Sequence, residues 1–330
     1  MRIAIDAMGG DNAPAANVEG AVLAAKEWPD IEVILVGDEA QINPLLSNRP
    51  SNLIVRHASE IIEADDEPVK SVRRKKDASM VVAGRMVKEQ EADAMISAGN
   101  TGALMATGLL VIGRIQGIDR PALGQMLPTT DGRGVLVLDL GANMDAAPEH
   151  LLQYATMGTV YRQKVHGIDR PRVGLLNVGT EEAKGNELSK AVFPMLKDAP
   201  IDFVGNVEAR DVLEGACDVL VCDGFVGNIF LKAVEGVSKT IFSSLKKEFM
   251  RSTMTKLAAA ILGPGLRQFR KQMDYREYGG APLFGLSGIC VKGHGSSDAK
   301  AVFNAIRQTR KELQSDLVGA ISSEFNGKRS

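Results

Sequence analysis

The 330-residue chain is 45% apolar and carries a formal charge of −2, from 39 Lys or Arg against 41 Asp or Glu. That length fills a large core, the near-neutral balance excludes a generally basic nucleic-acid binder, and no apolar run approaches the ~18 residues of a spanning helix. Aromatic residues at 5% beside 34 glycines favour close helix-on-sheet packing with tight strand-to-helix turns over a β-sandwich.

From the N-terminus onward one unit recurs: a short apolar run, a loop rich in Gly, Asn and Asp, then an amphipathic helix. The opening "MRIAID" predicts a strand at once, with an apolar part too short for a signal peptide, so the expectation is a cytoplasmic protein whose fold starts at residue 1. Ile3 to Ile5 leads into "DAMGGDNAP" and a helix from about Ala15; Val33 to Val36 leads into "GDEA" and a helix near Gln41. Ala94 to Ser97 leads into "AGNTGALM", Val135 to Asp139 into "LGANMDAAPEH", and Val173 to Asn177 into "VGTEEAKGNEL". Val219 to Cys222 precedes "DGFVGN", and Ile289 to Lys292 precedes "GHGSSDAKAVFNAI". Such alternation predicts right-handed βαβ units and a Rossmann-like α/β fold, with helices on both faces of a mostly parallel sheet. With no linker and no visible boundary, residues 1–330 read as a single large α/β domain.

One region breaks the rhythm. From Gly236 to Tyr278 the pattern is helical without strands, interrupted by Gly263, Pro264 and Gly265, which are expected to bend or end a helix. Lys239 to Arg276 holds nine Lys or Arg against two Asp or Glu, a charge of +7 that leaves −9 for the rest. Residues 236–278 are therefore a basic helical excursion from the domain.

In a parallel sheet, loops at the strands' carboxyl ends gather on one edge, where ligands bind, so the loops above are expected to converge. In "AGNTGALM" the glycines Gly99 and Gly102 permit close backbone approach, and exposed N–H groups at a helix start favour an anion such as phosphate. Tight-turn glycines with Asn100 or Thr101 as a helix cap account for the same residues. Lys184, among glycines with Asn186 close by, offers a mobile cation for phosphate charge or an oxyanion, or is plain surface. Asp223, Gly224, Gly227 and Asn228 read as polar site residues or as a capped turn. His294 ahead of Ser296 and Ser297 combines a base with two hydroxyls at a helix start, or is a capping Ser with an incidental His.

Familiar signatures are missing. There is no P-loop, no complete dinucleotide fingerprint ("GHGSSD" has Asp298 where the third Gly belongs), no nucleophile elbow and no zinc motif. Cys217, Cys222 and Cys290 each lie in an apolar run and read as buried reduced thiols. Chemistry here is expected to join two bound substrates directly, without a covalent enzyme intermediate, a metal or a cofactor.

Taken together, "IDAMGGDNAP", "ISAGNTGALM", "GIDRPAL", "LDLGAN", "GLLNVGTEEAKGNEL", "CDGFVGN", "GGAPLFG" and "HGSSDAKAVFNAI" resemble the bacterial phosphate acyltransferases, the PlsX family, in order from Asp6 to Ile306. The resemblance implies transfer of a fatty acyl group from acyl-ACP, the acyl carrier protein thioester, to inorganic phosphate, giving acyl-phosphate for phospholipid synthesis. It implies a fold akin to phosphotransacetylases and isopropylmalate dehydrogenases, a homodimer, and peripheral association with the inner face of the cell membrane. Carried over residue by residue, Lys184, Asn186 and Asn228 become catalytic or phosphate-contacting. Asn100, Thr101, Gly102, Asn143, His294, Ser296 and Ser297 stand around them, and His294 is assigned to protonate the departing thiolate.

Under that resemblance the basic excursion is read as dimer helices whose tip touches anionic lipid through Met254, Leu257, Ile261, Leu262 and Leu266, although an ordinary charged helix face fits the pattern too. Arg73, Arg74, Lys75 and Lys76 form a second basic run, suited either to solvent or to an acidic carrier protein. A nicotinamide-dependent dehydrogenase and a non-enzymatic lipid-surface scaffold are the competing readings. The first lacks a complete fingerprint, and the second leaves the polar loops idle.

Overall fold

The structure is a computed structural model that describes residues 1–272 and 279–327; at positions 264 and 266–272 it describes the backbone only. The chain begins with β1 (Arg2–Asp6), α1 (Ala15–Glu27), β2 (Glu32–Gly37), α2 (Glu39–Ile42), β3 (Leu53–His57), α3 (Pro68–Arg74), α4 (Ser79–Lys88), β4 (Ala94–Ser97) and α5 (Thr101–Thr107). It continues through β5 (Ala122–Leu127), β6 (Val135–Leu138), α6 (Pro148–His166), β7 (Arg172–Asn177), α7 (Glu187–Asp198), β8 (Asp202–Glu208) and β9 (Val219–Val221). Two long helices, α8 (Gly224–Phe249) and α9 (Thr253–Gln272), precede β10 (Ala281–Phe284), β11 (Ile289–Lys292), α10 (Ala299–Gln314) and α11 (Leu317–Asn326).

All the strands join one sheet, in the order β3-β2-β1-β4-β11-β10-β5-β6-β9-β7-β8. Every pair within β3-β2-β1-β4-β11 is parallel, and so is every pair within β6-β9-β7-β8. The three pairings between these blocks, β11 with β10, β10 with β5 and β5 with β6, are antiparallel. Three reversals leave the two parallel blocks running in opposite directions. The expectation of a single carboxyl edge is therefore corrected: each block has its own edge, and the two edges are set by β5 and β10.

Apolar runs such as Ile3 to Ile5 and Val135 to Leu138 are buried because helices cover both faces of the sheet. On one face of the first block, α1 packs on α10, with Val18, Ala21 and Ala24 meeting Val302, Ala305 and Ile306 in one core with Ile3 and Ile5. A second core joins Met80, Leu104 and Met95 to Val137, Leu220 and Leu231, and a third gathers Tyr154, Met157 and Tyr161 of α6 with Leu136, Val173 and Val192. Each fully buried Leu, Ile or Val contributes about 1.5–3 kcal/mol, so these three layers hold the sheet edges in fixed relation.

Within the expected excursion 236–278, α8 and α9 account for the helical part through Gln272, and residues 273–278 lie outside the described residues. α8 starts at Gly224, directly behind β9, and buries only Gly224, Gly227 and Leu231 of its 26 residues. α9 packs back on α8, and its helical backbone continues through Gly263, Pro264 and Gly265, so these residues do not end the helix there. Ala260, whose carbonyl loses its partner N–H at Pro264, is exposed, so water can take the place of that hydrogen bond. Among the described residues no helix is long and apolar enough to cross a membrane.

Candidate active site

Polar loops at the carboxyl end of the first block close on one another, backbone to backbone. Asp11 N donates to Gly295 O at 2.8 Å, Gly293 N to Ser97 O at 2.8 Å, and the Asn12 amide to Ser297 O at 3.1 Å. This closeness requires Gly9, where a Cβ would stand 2.7 Å from Gly99 N. Beneath the loops lies the Asp6 carboxylate, 2% exposed, accepting from Ser79 Oγ and Ser97 Oγ at 2.6 Å each. Burial raises its pKa, and the two hydroxyls oppose the rise. Ser97 Oγ in turn accepts from Gly99 N at 3.1 Å, so the buried acid fixes the start of the glycine loop.

The same crevice holds His294, Ser296 and Ser297. His294 Nδ1 accepts from Ser296 N at 3.2 Å and lies 2.9 Å from Ser296 Oγ, which assigns the ring proton of the neutral form to Nε2. Burial lowers the His294 pKa, so at neutral pH the ring is uncharged. The neighbouring Lys292 ammonium is also lowered by burial, to about 8, against the pull of Asp6 and Asp11.

A second polar group forms behind β6 and β9. The fully buried Asp139 carboxylate accepts from Leu123 N, Gly141 N, Ala142 N and Asn143 N at 3.0, 3.2, 3.0 and 2.6 Å. Burial raises its pKa against these donors. Asn143 uses its amide on Pro121 O, Asp139 and Tyr154 Oη, while Gly224 N donates to Asn143 O at 2.9 Å. Asp223 caps α8, accepting from Phe225 N and Val226 N at 3.0 and 2.9 Å. Gly227 packs directly on the Asp139 carbonyl, and Asn228 next to it lies against Gly141. Half-buried, the Asn228 amide has no hydrogen-bond partner among the described residues.

Lys184 and Asn186 form a third group behind β7. Asn177 donates to Lys184 O at 3.1 Å, and Asn186 Oδ1 caps α7 by accepting from Ser189 N at 2.9 Å. The Lys184 side chain is exposed and its ammonium makes no ion pair among the described residues.

The predicted residues thus divide three ways: Gly99, His294, Ser296 and Ser297 together, Asn143, Asp223, Gly227 and Asn228 together, and Lys184 with Asn186. The helix α8, which carries Asn228, also brings charge within electrostatic reach of the first group. Lys232 and Glu235, one and two turns beyond Asn228, act electrostatically on His294, and Lys232 acts on Lys292. No hydrogen bond or ion pair among the described residues joins Lys184 to either group.

Some of these residues serve the fold. Asn100 caps α5 through Ala103 N at 3.0 Å and donates to Ala64 O at 2.9 Å, which commits both ends of its amide, while Thr101 stands exposed at the first position of that helix. A Cβ at Gly102 would meet Pro68 Cγ at 2.7 Å, so Gly102 is a packing glycine. Asp6, Asp139 and Lys292 were not singled out from sequence. Their signal was available: each is the polar residue that closes an apolar strand just before a glycine loop. All three cysteines are buried, and burial pushes Cys217 up to about 12 and the Cys222 and Cys290 thiols well up, which removes thiolate nucleophiles.

The family model described as "Fatty acid synthesis protein" matches residues 1–319. A phosphate acyltransferase of Brevibacillus brevis is 61% identical over 318 residues, covering 96% of this chain and 95% of its own length. A phosphate acyltransferase of Bacillus cereus is 58% identical over 323 residues, 98% of each chain. In fold the chain is similar to a phosphotransacetylase from Streptococcus pyogenes (TM-score 0.59, 16% identity, 95% and 94% covered) and to a branched-chain phosphotransacylase from Enterococcus faecalis (TM-score 0.57, 16% identity, 95% and 99% covered). Full-length identity of this order leaves one conclusion: the chain belongs to the PlsX family of phosphate acyltransferases and is an acyltransferase.

Proposed function

We propose that the protein transfers a fatty acyl group from acyl-ACP to inorganic phosphate, releasing the carrier thiol and acyl-phosphate for phosphatidic acid synthesis. The observation that carries this reading is the half-buried Asn228 amide, uncommitted and set against the Asp139-organised loop of N–H groups on a helix that reaches the His294 loop. With the loop N–H groups committed to Asp139, the Asn228 amide is the donor left for an oxyanion, and among the described residues no activated nucleophile stands beside it, as suits a substrate that is itself the nucleophile.

Phosphate bound by the glycine loops and Lys184 attacks the thioester carbonyl; the new C–O bond forms and the C–S bond breaks through a tetrahedral oxyanion held by Asn228 or a backbone N–H. Removing one such donor typically costs ~2.7–4 kcal/mol of barrier. Overall the proton of monohydrogen phosphate equals the one the departing thiolate takes up, and the neutral His294 relays it. Incubation with acyl-ACP and phosphate, followed by assay of acyl-phosphate, tests the reaction. Near-normal turnover of Lys184→Ala at saturating phosphate would remove Lys184 from the mechanism.

Under this reading the chain works as one α/β unit from which α8 and α9, the described part of residues 236–278, project as an arm in a cytoplasmic enzyme held peripherally at the inner face of the membrane. Exposed Val237, Ile241 and Leu245 on α8 supply a face for a second copy, and Met254, Leu257, Ile261 and Leu262 on α9 supply lipid contact beside Lys and Arg. The side chain of Leu266 lies outside the described residues. Arg73, Arg74 and Lys76 are exposed and suit the acidic carrier, whereas Lys75 is committed to Asp66 and Ile61 O.

A further inference from the structure

Lys292 ends β11, in register with Ser97 at the end of β4, and its side chain turns back under the closed loops. The ammonium donates to Ala98 O at 3.3 Å and to Gly293 O. Both acceptors are uncharged carbonyls. No carboxylate forms an ion pair with it among the described residues, although Asp6 and Asp11 act on it from a distance and Lys232 opposes them. Around it the loops of β1, β4 and β11 meet, Gly293 N donating to Ser97 O and Asp11 N to Gly295 O at 2.8 Å each.

Lys292 is half-buried, and a cation even partly withdrawn from water is normally paired by the fold with a bonded counter-ion. Here the usual partner is absent: Asp6 is turned to two serine hydroxyls, and Asp11 shares only the neighbourhood. A bound oxyanion would complete the arrangement, reached by the remaining ammonium proton on the part of the Lys292 side chain that stays exposed. His294, being neutral at neutral pH, does not supply that charge.

We propose that Lys292 is a further cation of the phosphate subsite, besides Lys184, contacting the oxyanion that attacks the thioester. This rests on the phosphate acyl-transfer reading above and adds to it a residue for phosphate affinity.

The test compares wild type with Lys292→Met, Lys292→Gln and Lys292→Arg. In steady-state assays the neutral variants are expected to raise KM for phosphate roughly tenfold or more, the range of a lost hydrogen bond to a charged group, with KM for acyl-ACP unchanged. Lys292→Arg is expected to recover part of the loss. Wild-type phosphate KM rises above pH 8, as the ammonium titrates, and in Lys292→Arg that rise disappears. Should Lys292→Met fold poorly by thermal melting, Lys292→Gln carries the comparison. An unchanged phosphate KM in the neutral variants, or a change confined to acyl-ACP, the result for contact with the carrier's own phosphodiester, overturns the assignment. Calorimetry with inorganic phosphate separates the two levels. If wild type binds phosphate, Lys292→Gln does not, and no acyl-phosphate is formed by wild type, the subsite stands and the reaction is wrong.

Discussion

Asn143 donates both its backbone N–H and its side-chain amide to one oxygen of Asp139, at 2.6 and 3.1 Å. Three further backbone N–H groups, of Leu123, Gly141 and Ala142, end on the other oxygen. One buried carboxylate therefore shapes the whole turn that faces Asn228. Asp139→Ala leaves those donors unpaired at about 1–3 kcal/mol for each that water cannot reach, so chemical denaturation is expected to show a loss of at least ~3 kcal/mol. Asp139→Asn, which keeps the shape, loses less. A loss below ~1 kcal/mol for the alanine variant contradicts this role.

Gly227 and Gly236 sit on the same helix and predict opposite outcomes. A methyl at Gly227 would run into the Asp139 carbonyl and stand 2.8 Å from Cys222 Sγ, whereas nothing lies near a methyl at Gly236. Gly227→Ala is expected to destabilise by about 1–3 kcal/mol and, by displacing Asn228, to lower kcat by up to ~10²-fold. Gly236→Ala is expected to leave kcat unchanged and to stabilise by roughly 0.5–1 kcal/mol. Equal effects on kcat would separate Asn228 from the chemistry.

Glu312 supplies a pH signature far from the site. Fully buried, it accepts from the Gln308 amide at 3.1 Å, with Tyr161 bonded to the same amide and Arg162 beside Tyr161, and burial lifts its pKa to about 8 from 4.5. Between those values the folded state keeps a proton that the unfolded state has lost. Stability is therefore expected to fall with rising pH across that window, at up to ~1.4 kcal/mol per unit, and to level off above it. Glu312→Gln removes the titration, so its advantage over wild type in urea melts should grow from pH 5 to pH 8. A constant difference at all pH values would refute the linkage.

Leu257 and Ile261, 65% and 74% exposed, stand one turn apart on α9. Leu257→Glu and Ile261→Glu are each expected to reduce cosedimentation with anionic vesicles severalfold while leaving acyl transfer in solution intact. Undiminished vesicle binding eliminates the tip as the lipid contact.

The seven strands legible in the sequence all exist because each is an apolar run closed by a polar residue and a glycine loop, a pattern that burial on both faces demands. Among the described residues, four strands escaped: β3, β5, β8 and β10. β10, "APLF", is short and carries Pro282, and β5, "ALGQML", has no loop and helix behind it to mark it. Those two reverse the sheet, so the assumption of one common edge failed where local pattern is weakest. Candidate site residues were legible as loop membership. Their division was not, because whether Asn100 caps a helix while Asn228 stays uncommitted depends on partners such as Ala64 and Gly141 that lie far away in sequence. Lys292 and Asp6 were hidden for a related reason: at the end of an apolar strand, only the fold says whether a charge is buried.

The most direct measurement is a rapid-quench comparison of acyl-ACP with and without phosphate, following free carrier thiol and acyl-phosphate in the same samples. Direct attack by bound phosphate gives thiol release that is strictly phosphate-dependent and matched one for one by acyl-phosphate. Stoichiometric release of thiol without phosphate, or acyl chains recovered on the protein or as free acid, would contradict it.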